Sequence, residues 1–142
     1  MYGQKYKKLL LIALLIVGCG GKGVTEPNTS SIVGVWTFVS KEVVIVWQGY
    51  TQSNNWILSD TNFGTFTFSS DGNYQLNMTY GGTMSTSTGT FSNSEYILIL
   101  TEHGHSTSYI YSISENILAY IYSNYDEFGN GQTHTYVYKK SD

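Results

Sequence analysis

Residues 32–140 form a succession of short strand-like runs broken by tight-turn signals, a pattern that admits few architectures. The runs are 32–40 (continuing after a bend through 43–47), 64–68, 74–80, 83–91, 96–101, 107–113, 117–123 and 133–140. Between them lie Asp71-Gly72, Gly81-Gly82, Asn93-Ser94-Glu95 and Ser114-Glu115-Asn116, signals of the tight turns that join antiparallel neighbours. No window after the first 18 residues carries a 3.6-residue apolar stripe, so no long helix is expected there. Eight strands in a meander lose both free edges only by closing on themselves. The expected fold is therefore all-β, an eight-stranded antiparallel up-and-down barrel over 32–140 with its first strand paired to its last.

Period-two alternation assigns the faces. Phe66 and Phe68 share one side, as do Tyr74, Leu76, Met78 and Tyr80, then Tyr109, Tyr111 and Ile113, then Leu118, Tyr120 and Tyr122, then Tyr136 and Tyr138. Leu98 and Leu100 are assigned inward from a run that is apolar at every position. With 13 tyrosines in the chain, the interior has two readings. It is either a packed core, since eight strands enclose a space that side chains can just fill, or a partly wet cup. Residues 49–62 carry no alternation and read as a lid over one barrel end or a surface excursion.

Gly34-Val35-Trp36 opens the first strand, and Gly89-Thr90-Phe91 and Tyr136-Val137-Tyr138-Lys139-Lys140 follow in order. Over residues 32–140 this sequence resembles the small lipocalin-like domains carried by bacterial lipoproteins. The resemblance implies a barrel whose base is closed by Trp36 after Gly34, and a binding role for a small hydrophobic molecule. Lipocalins commonly pack an arginine on that tryptophan, and this chain contains no arginine.

The first 19 residues read as an export signal. Lys5, Lys7 and Lys8 precede an apolar run over 9–17, which is shorter than the ~20 residues a spanning helix needs. Ile16-Val17-Gly18-Cys19 resembles a lipobox, which implies cleavage before Cys19, lipid on its sulfur and a membrane attachment made through that lipid. Residues 1–18 are thus expected to be a lipoprotein signal peptide, 19–31 a flexible tether and 32–140 the barrel domain. The chain would be exported and lipid-anchored to the cell membrane. Gly20, in place of the aspartate tied to inner-membrane retention, points to the outer membrane where there are two. Cys19 is the single cysteine, so no intrachain disulfide contributes.

Charge narrows the partners. Three of the seven lysines sit before Cys19, while all ten acidic residues follow it, so the chain after the signal is distinctly acidic. Without a basic face it is not expected to bind nucleic acid. No Gly-x-Ser-x-Gly elbow is present, and the adjacent Asp126 and Glu127 would point apart, so no catalytic residues and no enzyme activity are expected. Glu102, His103 and His105 carry metal-ligand chemistry, but across Gly104 they read as a solvated turn, and no metal or cofactor is assigned. Tyr74, Tyr109, Tyr111 and Tyr120 are the candidate ligand-binding residues, lining a space open near 49–62. The expected function is a lipid-anchored cell-envelope binding module for a small hydrophobic or amphipathic ligand. The alternative is a solid barrel scaffold that meets an envelope protein or glycan through Trp47, Tyr50 and Trp56.

Overall fold

The structure, a computed structural model, describes residues 31–142. The expected signal peptide, Cys19 and all of the tether but Ser31 lie outside the described residues. Nine strands follow in order: β1 (Gly34–Trp47), β2 (Tyr50–Ile57), β3 (Phe63–Phe68), β4 (Asn73–Tyr80), β5 (Thr83–Asn93), β6 (Ile97–Glu102), β7 (His105–Ser114), β8 (Ile117–Tyr125) and β9 (Gly131–Lys140). Each pairs antiparallel with its neighbour, and β9 returns to β1, closing the barrel as the turn pattern requires.

Nine strands fill eight positions because β2 and β3 lie end to end along the same edge of β1. Ser40–Trp47 pairs with β2, while Gly34–Thr37 pairs with β3. Residues 49–62 are therefore neither lid nor excursion over most of their length. They supply the upper half of the second barrel position, and only the short connection from Leu58, pinched by a Ser59–Asn62 bridge, leaves the wall. The polar run Tyr-Thr-Gln-Ser-Asn-Asn hides this strand because much of its surface faces solvent.

Turns at 69–72, 94–96 and 115–116 share one end of the barrel, and the chain enters there at Ser31 and Ile32. This end is closed. Ile32, Trp36, Phe66, Phe68, Leu98 and Leu118 are all buried. Trp36 has no exposed surface, and its indole Nε1 donates to the Ile32 carbonyl at 2.7 Å, so the buried N–H is satisfied. Gly34 enters β1 at φ 141°, a backbone state that side chains resist, and a Cβ there would press on Lys140. The opposite end carries the hairpin tips at 48–49, 81–82, 103–104 and 126–130.

Between Phe38 and Ser40 the pairing of β1 with β9 shifts by one residue, a β-bulge. Below it Trp36 and Phe38 point inward. Above it the parity is reversed, so Lys41 and Val43 face the interior and Glu42 faces out to accept a hydrogen bond from Ser53 at 2.9 Å.

Candidate ligand-binding site

The register of β8 and β9 sets Tyr120 opposite Tyr136, Leu118 opposite Tyr138 and Tyr122 opposite His134, all on the inner face. The Tyr120 ring stacks on Tyr136 with centroids 4.6 Å apart and planes 16° from parallel. Tyr109 of β7 meets Tyr120 edge-on at 5.2 Å, and Phe66 meets it edge-on at 5.9 Å. Offset and edge-on pairs of this kind suit the ring quadrupole, so the cluster holds its geometry without charge.

Above this floor lies a cleft of about 340 Å³, lined by Tyr74, Tyr109, Tyr120 and Tyr136 with Leu76 and Leu100. Its rim is the β6–β7 hairpin, with Glu102, His103 and His105. The opening is thus beneath that hairpin, not beside residues 49–62 as the sequence suggested. Tyr74 is fixed at the cleft wall by a 3.2 Å hydrogen bond between its hydroxyl and Ser87 Oγ on the adjacent strand β5. His103 points away, largely exposed, with Nδ1 3.9 Å from Glu102 Oε1. Among the described residues no three metal-ligating side chains converge.

Three of the four tyrosines chosen from sequence, Tyr74, Tyr109 and Tyr120, come together in the cleft. Tyr111 does not. Its hydroxyl donates to the Ser94 carbonyl at 2.9 Å and accepts from Asn93 Nδ2 at 2.9 Å, which ties it to the β5–β6 turn at the closed end. Facing inward is a matter of parity, whereas reaching the cleft depends on height, and Tyr111 sits one layer too low. Tyr136 completes the lining. Its register opposite Tyr120 was the signal, and that register appears only once β8 and β9 are paired.

Burial raises the pKa of the Tyr109, Tyr120 and Tyr136 phenols, because ionisation would strand a charge away from water. The Tyr136 hydroxyl is pushed up to about 12, by burial first and then by neighbouring Tyr109. Tyr109 is also raised, by burial and then by Tyr74, Tyr122 and Glu102. Tyr80, Tyr120 and Tyr138 are raised further, again chiefly by burial. The aromatic floor of Tyr109, Tyr120 and Tyr136 is consequently neutral near pH 7, with apolar ring faces and hydroxyls that donate or accept.

A second recess, about 1050 Å³, lies between the β1–β2 and β8–β9 tips and is bordered by Trp47, Tyr125 and Phe128. The two tips are tied by Gln48 N donating to Asn130 Oδ1 at 2.7 Å. Trp47, Tyr50 and Phe128 are exposed here. Trp56, which the sequence grouped with Trp47 and Tyr50 on the surface, instead turns inward against Tyr80 at 6.4 Å.

The fold and the one-sided cleft define the class, a closed up-and-down barrel with a recess at its open end. No family model matches the chain, and no curated protein matches it. Among solved structures it is similar to apocrustacyanin A1 of lobster, at 13% identity and a TM-score of 0.48, over 81% of this chain. The match spans 63% of that chain, less than two thirds of its length.

Proposed function

We propose that this chain is a lipid-anchored binding module of the cell envelope that holds a small hydrophobic or amphipathic molecule in its barrel. The observation that carries the reading is the open cleft floored by stacked Tyr120 and Tyr136. A neutral aromatic lining with a few hydroxyls favours an apolar body with limited polarity. Binding, not catalysis, is the proposed role. The proposed attachment is lipid on Cys19, supported by the basic start, the apolar run and Gly18-Cys19. A single acyl chain binds a bilayer only transiently, and two or more make release negligible.

The test of the binding role is thermal unfolding across a panel of fatty acids, sterols and aromatic compounds. A ligand selective for the native state raises the melting temperature with concentration. No shift with any member of the panel would overturn this role. The test of attachment is Cys19→Ala, which should leave uncut precursor and abolish detergent-phase partitioning. The exposed Trp47, Tyr50 and Phe128 favour a second reading, a scaffold meeting an envelope protein or glycan at the hairpin tips. It takes over if the panel gives no shift.

A further inference from the structure

Above the bulge, the inner face holds a half-buried cation with no paired anion among the described residues. Lys41 pairs across the sheet with Trp56 on one side and Tyr136 on the other, so its side chain shares their inward face. Its Nζ lies 5.0 Å from the Tyr80 centroid, 5.2 Å from Tyr136 and 5.4 Å from Trp56. Three ring faces attract the ammonium of this half-buried side chain, and among the described residues no side-chain oxygen accepts from it. Among the described residues Lys41 makes no ion pair, and the charge pair they do contain is His103 with Glu102 at the rim. Glu42 points to the outer face, and Glu102 belongs to the cleft rim.

His134 stands beside this cage. Its ring lies 6.2 Å from Tyr136 at 21° and meets Tyr122 edge-on at 6.1 Å. Nδ1 is 3.4 Å from the Tyr136 hydroxyl, while Nε2 is buried with no hydrogen-bond partner. Burial and the Lys41 charge both lower the His134 pKa, which favours the neutral ring. If the Tyr136 hydroxyl donates to Nδ1, the neutral ring carries its hydrogen on Nε2. That leaves a donor aimed at nothing, and an orphaned buried polar group is costly.

We infer that Lys41 and His134 form the headgroup subsite for a carboxylate-bearing amphiphile whose apolar body runs along Tyr136 and Tyr120 into the cleft. The inference rests on the binding role proposed above and specifies its ligand class. Tyr136 belongs to both places, with Lys41 over its ring and Tyr120 stacked against it. One ammonium and one neutral imidazole match a single negative charge. A carboxylate offers two oxygens, one for each donor, whereas a dianion would remain uncompensated.

Three probes with one chain and different heads test this on the full chain: dodecanoate, dodecanol and dodecylamine, each titrated calorimetrically. Dodecanoate should bind about tenfold tighter than dodecanol, the difference expected of one charge-assisted contact, with dodecylamine weakest. Lys41→Met should abolish the preference, and Lys41→Arg should restore it. The comparison in the unaltered protein needs no variant, so a folding defect in Lys41→Met does not blunt it. Equal affinity for dodecanoate and dodecanol, or a preference that survives Lys41→Met, overturns the headgroup subsite and leaves the binding role standing. Failure of all three probes to bind overturns the two together.

Discussion

The Lys140 ammonium lies 5.3 Å from the centroid of the Trp36 ring, and the two residues are paired across β9 and β1. A lysine from the last strand therefore sets a cation against the tryptophan at the barrel base. The indole does the larger share of the work, because it is wholly buried while Lys140 is only half-buried. Trp36→Ala should destabilise the barrel by ~3–5 kcal/mol, the usual result of truncating a core aromatic. Lys140→Met should cost no more than ~1 kcal/mol, as expected of a partly solvated cation–π contact. Chemical denaturation of both variants measures the difference, and a reversed order would place the closure elsewhere.

Gly89 offers a sharper geometric test. It lies opposite Tyr74 in β4, and a Cβ built on it runs into the Thr101 carbonyl and meets the Tyr74 ring. Gly89→Ala should cost ~1–3 kcal/mol by overpacking. It should also weaken probe binding, because the Tyr74 ring, 3.0 Å from that Cβ, lines the cleft and is pushed aside. A variant that loses stability but binds as before would show that the backbone yields instead.

Tyr120 and Tyr111 separate binding from folding. Tyr120→Ser should reduce the ligand-induced rise in melting temperature more than the same change at exposed Tyr125. Tyr111→Phe should leave that rise intact and lower intrinsic stability by ~1 kcal/mol, since it deletes hydrogen bonds to Ser94 and Asn93. Melting curves with and without a fatty acid distinguish the two.

The buried phenols predict an alkaline transition. Their folded pKa values lie above the unfolded value of about 10, so the native state holds protons that the unfolded chain has released. The stability they contribute is complete below pH 10 and declines as pH rises toward about 12, the range set by Tyr136. Tyrosinate absorbance should therefore appear together with loss of near-ultraviolet ellipticity. Gradual ionisation of all the barrel's tyrosines while it stays folded would contradict the packing described.

How much of this is legible in sequence depends on which physical signal each part leaves. The closed meander and the burial of Trp36, Phe66, Tyr120 and Tyr138 follow from alternation and turn chemistry, which are local. β2 was missed because its polar face outnumbers its buried one. Lys41 was missed for a different reason. Counting from Trp36 and Phe38, strict alternation puts Ser40 and Glu42 inside, and only the bulge at Val39 turns Lys41 in. A bulge is set by pairing with β9, almost a hundred residues away, and has no signature in the run itself. Tyr111 was placed in the cleft by the same alternation, which fixes a side but not a height.

The chain enters the barrel at the closed end, while the cleft opens at the other. Anything that grips this protein through the residues before Ser31 therefore grips it by its foot. The cleft rim at the β6–β7 hairpin and the chain's entry at Ser31 then lie at opposite ends, with the filled base between them. On the proposed binding role, a ligand would then enter at the end of the barrel remote from that attachment.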